Sequence, residues 1–336
     1  MDRIEPKILH FHITSECPYT CKHCCSFSNL KDQSPALELE SILKIVDKAI
    51  NIGTEEIDLS GGEPLTIGKS SILSIIEYAA KRDLVTTINT NAWFLDREYV
   101  TNLKDAGLDR IKLSLYGTSS RSHNDFTGTK GSFKKVVDAL ELLKNKGIET
   151  WVHYVVTPKN LHETFSLSAL LDPYEVDTIQ LSSIIPSGRG KNAKAYRFGD
   201  LELPLVIKEL EAVFSNLINE KIFFTIALYP TLNAYPFNNR YCDYLINRLV
   251  VDPSGYIIPC CIMPEEIRSR NGNIIKQDIK EIYASRIMEK DPIFYWLIRG
   301  HKAMSEALKH PKRSNNLCST CIRMLSALKG RNISGL

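Results

Sequence analysis

The 336-residue chain contains nine cysteines, and three near its start have a spacing that favours metal chemistry. Cys17, Cys21 and Cys24, here called the cysteine triad, are spaced Cys-x3-Cys-x2-Cys. Closely spaced thiolates hold iron–sulfur clusters, and three of them can bind three irons of a cubane while the fourth iron stays open for chemistry. The spacing alone leaves a second interpretation open, a zinc knuckle completed by His23 or Cys25.

Five further cysteines lie near the end of the chain, at Cys242, Cys260, Cys261, Cys318 and Cys321. The charged N-terminus gives no sign of a signal peptide, so we expect a cytoplasmic protein whose thiols stay reduced. Disulfides are then not expected. Metal ligation, catalysis or packing are the roles that the sequence leaves for these cysteines.

A glycine-rich segment strengthens the iron–sulfur interpretation. The sequence Ser60-Gly-Gly-Glu-Pro64 comes about 40 residues after the triad, and a glycine pair lets the main chain approach a ligand closely. Together with the triad, and with His23 just before its third cysteine, this segment resembles the signature of the radical S-adenosylmethionine (SAM) superfamily. The resemblance covers roughly residues 7–220. It implies that the triad binds a [4Fe–4S] cluster whose open iron chelates SAM.

The resemblance also implies which residues contact SAM. Gly61, Gly62 and Glu63 would hold the amino group of its methionine through backbone and acid. Thr90 and Ser114, at two strand ends, would contact its methionine or ribose, although either could instead cap its strand. Reduction by a protein such as flavodoxin or ferredoxin would cleave SAM, and the resulting 5′-deoxyadenosyl radical would abstract hydrogen from an unactivated carbon.

The later cysteines resemble the SPASM/twitch extension of the same superfamily. Cys242, Gly255 and Cys260 match the spacing of its opening, and Cys318 and Cys321 add the usual pair. These four cysteines are here called the C-terminal tetrad. Seven cysteines would be needed for two clusters, so the resemblance implies the shorter twitch form with one auxiliary [4Fe–4S] cluster. Four cysteine ligands also suit a structural zinc ion, which is the alternative.

Two cysteines are left over. Cys261 could replace Cys260 as a cluster ligand, although the glycine spacing favours Cys260. Otherwise Cys25 and Cys261 are either buried small hydrophobic residues or catalytic hydrogen-atom donors. The second role follows from the resemblance, because a spare cysteine returns a hydrogen atom to the substrate radical in some epimerase-type relatives.

Short β-rich runs alternate with amphipathic helical stretches through the first two-thirds of the chain. Six such units predict an α/β fold in which a parallel sheet curls into a partial (β/α)6 TIM-type barrel, followed by a small C-terminal cluster-binding extension. We place the core barrel at residues 1–225 and the twitch-type domain at residues 226–336. The predicted strands are Lys7–Thr14, Glu56–Ser60, Leu84–Asn89, Arg110–Leu115, Thr150–Val156 and Thr178–Ile184.

Composition excludes some classes of protein. The net charge of +3 gives no indication of a nucleic-acid partner, and 43 % hydrophobic with 24 % charged residues is typical of a globular protein. No apolar stretch approaches the ~20 residues that a membrane span needs. We therefore expect neither a membrane nor a nucleic acid among the partners.

Further resemblances bear on the substrate. The stretches Gly131–Phe133 and Pro186–Gly190 resemble peptide-maturing members of the superfamily, which cross-link, form thioethers or epimerise residues in ribosomally made peptides. Those members carry an arginine where this sequence has Thr127. The contact with SAM or substrate that is normally assigned to this arginine is therefore not carried over to this chain. The alternatives are a sugar or nucleoside dehydrogenase or epimerase in natural-product biosynthesis, and a non-catalytic scaffold that binds zinc.

Overall fold

The computed structural model describes residues 6–26, 28, 37–184, 187–199, 202, 205, 206, 208–210, 223–227, 247–258 and 272–284. Within them, nine strands form one sheet. The strands are β1 Ile8–Thr14, β2 Glu56–Gly61, β3 Val85–Thr90, β4 Arg110–Leu115, β5 Glu149–Val156, β6 Thr178–Ser183, β7 Phe223–Ala227, β8 Arg248–Val251 and β9 Ile257–Ile258.

Eight helices can be bounded in the described residues. They are α1 Leu39–Ile50, α2 Lys69–Ala80, α3 Arg97–Asp105, α4 Ser120–Thr127, α5 Ser132–Leu143, α6 Leu161–Thr164, α7 Leu167–Leu171 and α8 Ile279–Ala284. None of them has the length and apolar character of a membrane span.

The sheet has the order β7-β6-β5-β4-β3-β2-β1-β8-β9. All neighbours pair in parallel except β8 and β9, which are antiparallel. Each of the six predicted strands is found, and the partial barrel is confirmed. In the described part of the chain the sheet stays open, with β7 and β9 at its edges.

The strand β8 lies beyond residue 225, where the sequence places the end of the core barrel. It nevertheless pairs in parallel with β1, from Ile8 opposite Arg248 to Phe11 opposite Val251. The start of the C-terminal region therefore continues the barrel sheet. The division into residues 1–225 and 226–336 stays a prediction.

Local side-chain bonds fix where the helices begin. The carboxylate of Asp96 accepts from the N–H of Tyr99 at 2.7 Å and caps α3. The hydroxyl of Ser119 accepts from the N–H of Ser122 at 3.3 Å and caps α4. The helix α4 ends at Gly128, whose φ of 66° is left-handed.

The two faces of the sheet differ in chemistry. Side chains such as Phe11, Leu59 and Leu113 alternate along the strands, and they pack with buried helix residues such as Ile45 and Ile75 in one apolar core. The opposite, inner face is polar. Its central side chains are His10 and His12 of β1, Asp58 of β2, Asn89 of β3, Lys112 of β4 and His153 of β5.

A polar inner face is unusual for parallel strands, which read as continuous apolar runs when both faces are buried against protein. TIM barrels in particular fill their interior with bulky branched side chains. The inner face of this barrel is therefore suited to a polar occupant rather than to a hydrophobic filling.

Candidate metal and cofactor site

The cysteine triad lies on the loop that follows β1, at the carboxyl ends of the strands. Cys21 is buried, and Cys17 and Cys24 are half-buried. The sulfur of Cys17 accepts from the N–H of Tyr19 at 3.5 Å and from the amide of Asn91, just after β3, at 3.6 Å. All three thiols of the triad thus come from one loop, and Cys17 lies beside the end of β3, the next strand but one.

Main-chain bonds tie this loop to the end of α4. The N–H groups of Thr20 and Lys22 donate to the carbonyls of Thr127 and Phe126 at 3.1 and 3.0 Å. The buried hydroxyl of Thr127 bonds Ser132 at 2.7 Å. The residue that replaces the usual arginine therefore joins α4 to α5.

Arg189 holds the loop from the other side. Its backbone N–H donates to the carbonyl of Cys24 at 2.8 Å, and its Nε and Nη1 donate to the carbonyls of Cys21 and Ser28 at 2.8 and 2.9 Å. A Cβ on the preceding Gly188 would lie 2.3 Å from the carbonyl oxygen of Cys24. The described part of the segment that the sequence relates to peptide substrates thus contacts the cysteine loop.

Burial sets the chemistry of the free thiols. It raises the pKa of Cys17 to about 12 and the pKa of Cys21 well above its ordinary value. A buried thiolate therefore needs a cationic partner, and the irons of a cluster supply one. In the described ranges no three His, Cys, Asp or Glu side chains are arranged around one metal ion. A cubane does not require that arrangement, because each thiolate binds a different iron.

The glycine pair at the end of β2 lies directly on the backbone of the residues that lead into the cysteine loop. The N–H groups of Gly62 and Glu63 donate to the carbonyls of Thr14 and Glu16, both at 2.7 Å. A Cβ on Gly61 would lie 2.4 Å from the oxygen of Thr14, and one on Gly62 would lie 2.1 Å from that of Glu16. The pair is thus required by a contact within the protein, whatever ligand it also approaches.

The carboxylate of Glu63 joins the ends of β2 and β3. It is buried and accepts from the hydroxyl of Thr90 and the N–H of Asn91, both at 2.7 Å, and from the N–H of Leu65 at 3.2 Å. Two carboxylate oxygens offer about four acceptor positions, so one remains for an ammonium group. Thr90 also accepts from the N–H of Ala92 at 3.1 Å, and it therefore makes the bonds of a strand-end cap.

His23 and Ser114 both contact an aromatic group that includes Tyr116. His23 stacks on Phe126 at 5.0 Å and lies 4.7 Å from Tyr116, and Ser114 bonds the side chain of Tyr116. Burial lowers the pKa of His23 to about 3, so its ring is neutral. Its Nδ1 is buried and has no hydrogen-bond partner among the described residues. This atom, adjacent to the triad, fits a bound group that supplies its missing partner.

A cavity of about 760 Å³ opens beside these rings. Its lining includes the aromatic rings of Tyr116 and Phe126. Arg121, Lys159 and Tyr196 also line it and add charged and hydrogen-bonding groups. The volume is in the range of small-molecule and side-chain pockets.

The remaining predicted residues are placed only in part. Cys25 is half-buried on the cysteine loop, and a Cβ on Gly188 would lie 2.4 Å from its carbonyl oxygen. Cys261 and all of the C-terminal tetrad lie outside the described residues. Their predicted roles, like the SAM contacts of Gly61–Glu63, Thr90 and Ser114, stay predictions.

We predict that Arg189→Gln weakens retention of the cluster, because both guanidinium bonds to loop carbonyls are lost. Arg189→Lys keeps the charge but not the planar fork, and should resemble the glutamine variant more than the wild type. Iron and sulfide content after anaerobic purification, and the rate of iron loss to a chelator, measure the effect. Arg121→Gln, at an exposed position, is the control. Equal iron loss in the wild type and Arg189→Gln would contradict the role.

The buried carboxyl of Glu63 should make the free energy of unfolding depend on pH. Burial raises the pKa of its carboxyl from 4.5 to about 7, although bonds from Asn91, Thr90 and Leu65 oppose the rise. The folded state then binds this proton more tightly than the unfolded state, so stability falls as pH rises from about 4.5 to 7. Between pH about 5.5 and about 7.5 the loss is about 2 kcal/mol.

Glu63→Gln should lack this pH-dependent part. The free energy of unfolding is measured for the wild type and the variant without SAM at both pH values, with exposed Glu77→Gln as the control. A wild type whose stability does not change relative to Glu63→Gln would show that the carboxyl ionises normally.

Comparisons with known proteins agree with this geometry. The radical SAM superfamily matches residues 11–168, and an iron–sulfur cluster-binding domain, SPASM, matches residues 242–322. The AdoMet-dependent heme synthase of Methanosarcina barkeri is 26 % identical over 59 % of this chain and 56 % of its own length. The aligned segments span about half the length of three AdoMet-dependent heme synthases that match, namely 56 %, 49 % and 47 % of their chains.

Two relatives match over nearly the whole chain. The PqqA peptide cyclase of Gluconobacter oxydans is 23 % identical over 97 % of this chain and 88 % of its own. The subtilosin biosynthesis protein AlbA of Bacillus subtilis is 24 % identical over 97 % of this chain and 69 % of its own.

Solved structures show the same fold. SuiB of Streptococcus suis bound to S-adenosylmethionine gives a TM-score of 0.73 at 17 % identity, over 88 % of this chain and 68 % of that one. The structure of anSMEcpe with bound AdoMet and the Cp18Cys peptide gives a TM-score of 0.68 at 17 % identity. The match covers 97 % of this chain and 98 % of that one. With both domains detected and the fold shared, the chain contains a radical SAM domain, the domain type that binds a [4Fe–4S] cluster with SAM, and a C-terminal SPASM-type domain for an auxiliary iron–sulfur cluster.

Proposed function

We propose that this enzyme modifies a ribosomally made peptide by abstracting a hydrogen atom from it, giving a cross-link, a thioether or an epimerised residue. The extent of the matches carries the proposal. The peptide cyclase and the subtilosin protein match 97 % of the chain, whereas the heme synthases match 54–59 %. The likeness to these two relatives therefore extends into the C-terminal region, whereas the PqqA peptide cyclase of Granulibacter bethesdensis matches 48 % of the chain.

In this proposal the cysteine triad holds the cluster, and the residues around it orient SAM. Gly61 and Gly62 offer backbone beside the cysteine loop, and Glu63 has an acceptor position left for the methionine ammonium. The neutral Nδ1 of His23 offers a hydrogen-bonding atom next to the triad. The cluster with SAM supplies a 5′-deoxyadenosyl radical when reduced.

Aromatic packing protects the site from water. Tyr19 is buried, its hydroxyl donates to the carbonyl of Asn91 at 3.2 Å, and its ring meets Trp93 edge to face at 5.7 Å. Excluding water limits side reactions of a reactive intermediate. The electron would come from a protein reductant of the flavodoxin or ferredoxin class, and the C-terminal tetrad would hold the auxiliary cluster.

A second candidate is a small-molecule substrate: a tetrapyrrole, a sugar or a nucleoside. The observation that favours it is the similarity of the core barrel to AdoMet-dependent heme synthases, at 26 % identity over 197 residues. The cavity of about 760 Å³ beside Tyr116 could hold a molecule of that size. The match covers little more than the barrel, so we place this candidate second.

We predict that replacing the cysteine triad with alanine abolishes reductive cleavage of SAM. The measurement is 5′-deoxyadenosine formed anaerobically with dithionite. Replacing the C-terminal tetrad should instead lower iron from about eight to about four per chain and leave some cleavage, because the triad cluster remains. Cys25→Ala should keep the iron content of the wild type. Continued 5′-deoxyadenosine formation without the triad would refute the assignment of these ligands.

The substrate is tested with each peptide that a short reading frame beside this gene is found to encode. A cross-link or thioether should remove two hydrogens from its mass, and epimerisation in D2O should add deuterium without any other mass change. A haem precursor and a nucleoside are incubated in parallel. Conversion of one of these small molecules, with the peptide unchanged, would favour the second candidate.

A further inference from the structure

The inner face of the barrel contains a line of three hydrogen-bonded side chains that the cluster and SAM motifs do not include. The Nδ1 of His10 lies 3.1 Å from a carboxylate oxygen of Asp58. The Nε2 of His10 lies 3.2 Å from the Nε2 of His12. All three side chains are buried. We call them the Asp–His–His chain.

Asp58 is ionised at one end of this chain. Burial alone would raise the pKa of its carboxyl, but Lys112, His10 and Arg248 outweigh burial and hold that pKa well below its usual range. Arg248 donates to the same oxygen at 3.2 Å, and the ammonium of Lys112 lies 3.6 Å from it. The amide of Asn89 donates to the other oxygen.

The charge of Asp58 orders the protons along the chain. A carboxylate only accepts, so the Nδ1 of His10 must carry a proton. In a neutral His10 the Nε2 then has the lone pair, and the facing Nε2 of His12 must donate. The lone pair of a neutral His12 is therefore on Nδ1. A proton received there can pass from the Nε2 of His12 to the Nε2 of His10, next to the anion.

His12 of this chain lies on β1, whose backbone contacts the glycine pair where SAM is proposed to bind. His12 pairs with Ser60 in the sheet, one residue before the glycine pair. A Cβ on Gly61 would lie 3.2 Å from the Cα of His12. Thr14, two residues after His12, accepts from the N–H of Gly62. His12 is thus in the layer of the inner face directly beneath the motif.

We propose that His12 is a catalytic base that takes a proton from the substrate, and that His10 and Asp58 position it and stabilise the proton it receives. This rests on the proposed peptide function. In the step, a substrate C–H gives its hydrogen atom to the 5′-deoxyadenosyl radical. A second group X–H, a thiol or a carbon acid, gives its proton to His12, the C–X bond forms, and the surplus electron passes to the oxidised auxiliary cluster.

The need for a base differs between the reactions that the proposed function leaves open. Forming a C–X bond removes two hydrogens, one as an atom and one as a proton, so it needs a proton acceptor. Epimerisation returns a hydrogen atom to the carbon and needs a hydrogen-atom donor instead. The Asp–His–His chain therefore selects cross-linking or thioether formation over epimerisation.

The charged and titratable groups around the chain fix the sign of its pH dependence. Asp58 favours a proton on the histidines, while Lys112 and Arg248 oppose it. His153, on β5, is neutral, because burial and Lys112 lower its pKa to about 4. Product formation needs neutral His12 and falls as pH falls through its pKa. Asp58→Asn removes the favourable anion and should move this acid limb to lower pH.

The first test uses the loaded enzyme and whichever peptide it converts in the substrate test of the proposed function. We expect His12→Gln to lower the cross-linked product formed per 5′-deoxyadenosine by about tenfold or more, as for loss of an acid–base residue. Glu77→Gln, at an exposed position of α2, should match the wild type. An unchanged ratio in His12→Gln would overturn the proposal, and so would a wild-type product of unchanged mass that carries solvent deuterium.

The second test needs no substrate. Long-range 1H–15N spectra of the histidine-labelled enzyme should show His10 protonated on Nδ1 and His12 on Nε2, and Asp58→Asn should remove this preference. A wild-type His12 protonated on Nδ1 alone would overturn the chain. A wild type that forms no 5′-deoxyadenosine refutes the proposed function instead, and the spectra still decide whether the ordered chain exists.

Discussion

The cysteine loop depends on the pairing of its own backbone carbonyls. Residues 15–26 of the loop form neither helix nor strand, and buried main-chain groups without partners would cost free energy. The carbonyls of Thr14 and Glu16 accept hydrogen bonds from the two backbone N–H groups that directly follow β2. The carbonyls of Cys21 and Cys24 accept hydrogen bonds from Arg189. The positions of the triad thiols follow from these bonds. Because Gly62 has no side chain, the strand end can come close enough to make its part of them.

Stability and function are divided between the two faces of the sheet. The helix-facing side supplies the apolar core, which is the main stabilising contribution. The inner face buries charge, and burying charge costs free energy unless it is paired. Asp58 shows how this cost is limited, because Asn89, Arg248 and His10 all bond its carboxylate. A buried ionised carboxylate is weak evidence for a stabilising role, so we relate Asp58 to the proposed chemistry of the inner face.

The sequence was sufficient for features that local patterns encode. Alternation placed six strands, and cysteine and glycine spacing placed the cluster loop beside Gly61–Glu63. The pairing of β8 with β1 and the contact of Arg189 with Cys21 join residues far apart in the chain, which no local pattern records. The helix α4 was missed because its sequence is mostly polar. A usable signal for the inner face was overlooked: polar residues recur at every second position of strands that a parallel sheet would bury.

Several motif residues make contacts within the protein that do not depend on a bound ligand. The glycine pair packs on the cysteine loop, Thr90 caps β3, and the guanidinium of Arg189 is occupied by loop carbonyls. Such contacts fix the geometry of a site before its cofactor arrives, so little reorganisation remains for the reaction itself. They also explain why a motif can be recognised without revealing the substrate. In the proposed function, specificity then depends on the inner face of the barrel, where His12 and Asp58 lie.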